Sequence, residues 1–220
     1  MSSDAHHFAH HFQSADHELE SSKQGMWIFL LTEVLFFGGL FCAYAIFRTL
    51  YPEMFHVGHH ELNWKLGATN TVVLITSSLT MAMAVAACQR GQRTKAIVNL
   101  LITFGLACCF LVIKFIEYKH KFHEGLLPGG HFTNPELVAQ MKENPALAKL
   151  PLFFSIYFGT TGLHGFHVIC GMVAILWLLM RAIRGDFDSG YFMPVEIVGL
   201  YWHFVDLVWI FLFPLLYLVG

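Results

Sequence analysis

The chain has 220 residues, 56% of them hydrophobic and 13% charged, where a water-soluble domain carries roughly a quarter charged residues. That composition excludes an ordinary soluble domain and predicts a membrane protein, so length counts bilayer crossings of about 20 apolar residues each rather than globular cores. A formal net charge of −2 argues against a nucleic-acid partner.

Residues 1–24 form a polar tail rich in histidine (His6, His7, His10, His11 and His17). The tail lacks a short apolar core ahead of a cleavage signature, so no cleavable signal peptide is expected. Residues 25–220 read as one transmembrane domain, with crossings near 25–48, 66–89, 94–117, 152–181 and 195–218 on a window of about 19 residues. These runs are continuously apolar, whereas barrel strands would alternate over about 10 residues. The predicted fold class is therefore all-α, a polytopic bundle of about five membrane-spanning helices. Cys42, Cys88, Cys108, Cys109 and Cys170 fall inside apolar runs without a CxxC pair, and read as small packing residues.

The first crossing carries Glu33 in LLTEVLFF, with no basic residue within a turn of its own helix. An ionisable group at that depth costs several kcal/mol unless it is paired, hydrated or turned toward protein. Its partner comes from another helix, from water or from its own protonation; a packing carboxyl and a proton-responsive or reactive one both remain open. His56, His59 and His60 follow in the first outer loop and read as solvated polar residues. RGQRTK (90–95) and RAIRGDFDSG (181–190) are short arginine-bearing loops, which places the N-terminus on the cytoplasmic side and the C-terminus outside. Lys114 and Glu117, three positions apart, can meet on one helix face near the outer end of the third run and read as a structural pair. In the extramembrane connection 118–151, Asn134 can cap, Pro135 suits the first helical position and Pro145 follows the end, predicting a short helix.

In the fourth crossing, YFGTTGLHGFHVICG sets Gly159, Gly162 and Gly165 at three-residue intervals, which predicts close approach of a neighbouring backbone. His164 and His167 share that stretch. An HxxH pair alone lacks the further ligands a redox metal needs, so interhelical hydrogen bonding is the expected role. In the fifth crossing, LYWHFVDLVWIFLF places His203 and Asp206 downstream of Glu196. Spacings of about two turns and about one turn predict a single polar stripe that fixes helix partners. No segment offers a complete metal site.

LTEVLFFGGLFCAY (31–44), TTGLHGFHVICG (160–171) and LYWHFVDLVWIFLF (200–213) resemble, in order, the signature segments of subunit III of the haem–copper oxidases, the superfamily of cytochrome c oxidases and quinol oxidases. NTVVLITSSLTMAMA (70–84) and KFIEY (114–118) resemble the corresponding family helices, so the likeness spans all five crossings. It implies a subunit that binds no haem or copper and contains no catalytic residue or metal ligand, the redox centres lying in partner subunits. Such a subunit packs mainly against the large subunit I, with subunit II in the same complex, and supports stability during turnover and proton uptake in a bacterial inner membrane.

By the same resemblance, Glu33 stands where the family has its carbodiimide-reactive membrane glutamate, and Glu117 matches a further family carboxylate. His164, His167, His203 and Asp206 match polar positions that tie helices together. Many family members have seven crossings, the first two forming one arm of a V-shaped, lipid-holding cleft. This chain begins at the third and resembles the shorter five-helix bacterial form, which leaves phospholipid as an open ligand beside the membrane lipids. A quinol oxidase or nitric oxide reductase would suit the same helices. An independent transporter is the alternative of another class; against it stands the lack of a repeated half with broken helices.

Overall fold

The computed structural model describes residues 15–128 and 131–219; His6, His7, His10 and His11 of the expected tail lie outside the described residues. The described chain runs α1 (Ala15–Leu50), α2 (Pro52–His60), α3 (Trp64–Gln89), α4 (Arg93–His123), α5 (Pro135–Glu143), a 3-10 turn (Pro145–Leu147), α6 (Leu150–Arg184), α7 (Met193–Phe213) and a final π-helical turn (Pro214–Leu218). Among the described residues the only strand-like pairing is an isolated bridge between Leu126 and Phe132, so the fold is the all-α bundle expected.

Five helices are long and apolar enough to cross a membrane: Glu20–Leu50, Trp64–Gln89, Arg93–His123, Pro145–Arg184 and Met193–Leu218. Several outrun the apolar windows because a helix continues past the hydrocarbon boundary until something caps it. Asn63 caps α3, its side-chain oxygen accepting from the backbone N–H of Lys65 at 3.1 Å and Leu66 at 3.4 Å. At the far end of α6, Gly185 takes φ +91°, the left-handed cap that a side chain would strain. The α1 helix reaches back to Ala15, so residues 15–24 continue the first crossing as helix.

Helix α5 forms where predicted, with the Asn134 side chain accepting from Leu137 N–H at 3.0 Å and Pro135 at its start. Helix α2 is the element the sequence reading did not anticipate. Pro52 stands in its first turn beside Glu53, a helix-start signature. The helix is held by edge-on rings: Phe55 lies 5.1 Å from Tyr44 and 5.3 Å from Phe153. A Cβ on Gly58 would come within 2.4 Å of the Phe153 ring, so only glycine allows this contact.

Helices α3, α4, α6 and α7 enclose the core, and α1 lies outside them along α7. The Thr80 and Thr103 hydroxyls meet at 2.7 Å between α3 and α4. Arg93 at the start of α4 donates to the Ala182 carbonyl at 2.9 Å and to the Ile183 carbonyl, satisfying the open end of α6. The glycine expectation needs correction. Gly159 and Gly165 have nothing within 4 Å of a built Cβ, and Gly162 has only the Tyr118 hydroxyl at 3.9 Å. Gly159 and Gly162 are exposed, and the buried face of α6 there carries Tyr157, Thr160, Thr161 and His164. Close packing on α6 occurs instead at Gly171, where a Cβ would lie 2.7 Å from the Trp202 ring.

Candidate functional site

Three groups of polar side chains sit within the membrane-spanning segments, each built from different elements. The first joins α1 to α6. Glu33 Oε2 lies 3.0 Å from His167 Nε2, so the glutamate with no partner on its own helix finds one 134 positions away. His167 Nδ1 is 2.8 Å from the Leu163 carbonyl. A carbonyl oxygen only accepts, so Nδ1 carries a hydrogen. A hydrogen bond between Nε2 and Oε2 therefore needs one hydrogen, either on the carboxyl beside a neutral imidazole or on an imidazolium beside a carboxylate. Both forms are neutral overall, which reduces the penalty of holding the pair out of water. Tyr201 donates to the His167 carbonyl at 3.0 Å, and Phe37 packs edge-on to the imidazole at 5.1 Å. The two side chains remain 17% and 13% exposed, on the flank where α1 meets the bundle.

The second group joins α7 to α3. Ser78 Oγ lies 2.6 Å from His203 Nδ1. Ser77 Oγ donates to the Leu74 carbonyl at 2.8 Å, accepts from Trp202 Nε1 at 3.1 Å, and stands 3.5 Å from Asp206 Oδ2. One hydroxyl hydrogen cannot serve Leu74 and Asp206 together, and the shorter bond takes it. Asp206 is 2% exposed, and its Oδ1 has no hydrogen-bond partner among the described residues.

Glu196 departs from the expected single stripe: its Oε1 pairs with Lys23 of α1 at 3.0 Å, while His203 and Asp206 turn to α3. A helical repeat of two turns keeps residues on a face only approximately, and Glu196 sits in the first turn of α7, where α1 is the neighbour that offers a cation.

The third group lies deep between α4, α6 and the last turn of the chain. Lys114 Nζ contacts Glu117 Oε2 at 2.9 Å and donates to the Tyr217 hydroxyl at 2.8 Å, and that hydroxyl donates to Glu117 Oε1 at 2.6 Å. The ammonium also stands 4.8 Å from the Trp209 ring centre and 5.3 Å from that of Tyr157, favourable cation–π distances. Sequence spacing identified the Lys114–Glu117 pair but not Tyr217, Tyr157 or Trp209. The nearest signal was the run of aromatics ending the chain, of which Tyr217 meets Glu117 and Lys114 100 and 103 positions away.

His164 stands apart from His167. It is fully buried, neither ring nitrogen has a hydrogen-bond partner among the described residues, and its ring lies 5.2 Å from Trp209 and 5.5 Å from Phe110. The expected interhelical hydrogen bond is therefore made by His167, while His164 packs as an aromatic. Among the described residues no group of three or more His, Cys, Asp or Glu side chains is arranged to hold a metal ion.

The model of the family described as cytochrome c oxidase subunit III matches residues 1–123 and 138–220. The chain belongs to the cytochrome c oxidase subunit III family. The subunit III match leaves out only 124–137, part of the connection 118–151 that also lay outside the recognised motifs. A cytochrome c oxidase subunit 3 from Synechocystis is 35% identical over 196 residues, 89% of this chain and 74% of the relative. A "Probable quinol oxidase subunit 3" from Staphylococcus epidermidis is 31% identical over 97% of this chain and 96% of its own length. A "Heme-copper oxidase subunit I+III" from Aeropyrum pernix is 30% identical over 90% of this chain, which corresponds to 22% of that longer protein.

Proposed function

We propose that this chain is the non-redox accessory subunit III of a proton-pumping haem–copper terminal oxidase, of the cytochrome c oxidase type, in aerobic respiration. The carrying observation is family membership over nearly the whole chain, together with five membrane-crossing helices whose polar groups engage mostly one another. The redox chemistry, haem and copper, belongs on this reading to the partner subunits. Subunit I is the main partner and subunit II a member of the same complex, in a bacterial inner membrane with the N-terminus cytoplasmic and with membrane lipids, including any bound phospholipid, around the bundle. The Aeropyrum relative, named as subunits I and III in one chain, supports direct contact with subunit I. A quinol oxidase is the second reading, favoured by the end-to-end match to the Staphylococcus protein.

Within this role the polar contacts of Glu117, His167, Glu196, His203 and Asp206, with His164 packed between aromatic rings, set the shape of the bundle. Glu33 acts on the neighbour. Its contact with His167 can move one proton without changing net charge, and it lies at the bundle's flank rather than in its core. Protonation or modification of Glu33 then alters how α1 is held, and through α1 the proton uptake of the adjacent subunit.

The test is a complex prepared with and without this chain. The depleted complex should keep its haem spectrum and initial oxygen reduction but lose activity faster during turnover, with recovery when the chain is restored. Loss of haem or copper in proportion to the chain removed would overturn the accessory, non-redox role.

A further inference from the structure

Helix α2 turns opposite faces to the bundle and to water. At about 3.6 residues per turn, Met54, Phe55 and Gly58 fall on the buried side, and Glu53, His56 and His60 fall on the exposed one. His56 and His60 stand four positions apart, the spacing at which two imidazoles on one helix face reach the same ion. Among the described residues neither of these rings makes a hydrogen bond, and both are exposed and free to turn. His59 differs: its Nδ1 lies 3.4 Å from the His56 carbonyl, and it is less exposed.

Ring separation selects the pair. An ion bound about 2.1 Å from an imidazole nitrogen stands roughly 3.2 Å from the ring centre, so two rings sharing it at a right or tetrahedral angle have centres about 4.5–5.2 Å apart. His56 and His60 are 5.0 Å apart, whereas His59 lies 4.3 Å from His60 and 6.4 Å from His56. Charge favours a cation there. Glu53 and Glu61 flank the pair in sequence, and His60 ends the helix, where the carbonyl dipoles carry partial negative charge. Arg48, which lines the same cavity as Glu53 and His56, is turned to the Tyr44 hydroxyl and the Val219 carbonyl. That cavity, about 340 Å³, leaves room for water around an ion.

We infer that His56 and His60 form an open, two-imidazole site for a divalent transition-metal cation of the copper or zinc class, with water completing its shell. Imidazole suits these ions, and copper(II) binds tightest among them. The site needs no third protein ligand, in keeping with the absence of a three-residue group among the described residues. It lies between the first two crossings, Glu20–Leu50 and Trp64–Gln89, and does not depend on the oxidase reading.

The experiment titrates copper(II) into the full-length chain in mild detergent, purified without a histidine tag. The tail residues His6, His7, His10, His11 and His17 are replaced by glutamine in every preparation, so that they do not compete. One ion per chain should bind, with an electron paramagnetic resonance spectrum split by two nitrogens. His56→Gln and His60→Gln should each weaken binding by about tenfold or more, through loss of one of two coordinate bonds, and reduce the splitting to one nitrogen. His59→Gln should stay within about twofold, because its ring lies outside the bridging distance. Binding that survives both replacements, or that falls as far with His59→Gln or His120→Gln, would mean an adventitious ion only and overturn the inference.

Discussion

The cage around Lys114 and the contact between Glu33 and His167 are both ionisable pairs inside a membrane bundle, yet they are built oppositely. Lys114 and Glu117 are 7% and 2% exposed, fully partnered by a tyrosine hydroxyl and surrounded by aromatic rings, in the middle of the core. Glu33 and His167 rest on one contact that joins a peripheral helix to the rest. A pair whose every hydrogen bond is internal supports the fold and leaves nothing for a neighbour to act on. A partly exposed pair at a flank, joined by a single hydrogen bond, is where another subunit or a reagent can act.

The largest effect that would test this contrast is Glu117→Ala. It leaves a buried ammonium without its carboxylate, a loss of about 3–5 kcal/mol, and the chain should drop out of membranes or unfold in mild detergent well below the wild-type temperature. The paired replacement Lys114→Met with Glu117→Leu should be much milder than either single change, because no uncompensated charge remains. Tyr217→Phe comes next, costing about 1.5–3 kcal/mol as two hydrogen bonds to charged groups are lost; thermal unfolding of the detergent-solubilised chain measures it.

His167→Leu should cost only about 1 kcal/mol, with faster proteolysis of α1 as the sensitive readout. Glu33→Gln should leave stability within about 0.5 kcal/mol, since an amide N–H still donates to His167 Nε2, while removing the acidic proton. In the intact complex it should slow proton uptake or hasten inactivation during turnover. If turnover, pumping stoichiometry and inactivation were all unchanged, Glu33 would be a packing residue and the contrast would collapse. A hydrophobic carbodiimide sharpens it from the other direction: peptide mapping should find the adduct at Glu33 and not at the enclosed Glu117.

Hydropathy alone made the five crossings legible, because each run is long, continuous and separated by charged or proline-bearing punctuation. Helix α5 was legible from its caps. Helix α2 was not, since its nine residues are too short for an apolar window and its three histidines suggested solvent. Glu33's need for a partner was readable from its isolation, but the identity of His167 was not, because 134 positions separate them and only the packing of α1 on α6 and α7 brings them together. Periodicity misled in two places. Three glycines at even spacing marked a face with no close neighbour rather than a close crossing, and Glu196 left the stripe of His203 and Asp206 for Lys23. In both, spacing reports which residues share a face of one helix and says nothing of which neighbour that face meets.

The central claim, that this chain works inside a haem–copper oxidase, is tested most directly by tagging it, extracting membranes in mild detergent, and recording the haem spectrum and oxygen consumption of what co-purifies. Co-elution of the chain with haem, copper and oxygen-reducing activity is the predicted result. A folded, monodisperse chain that elutes without haem or oxygen consumption would contradict the account.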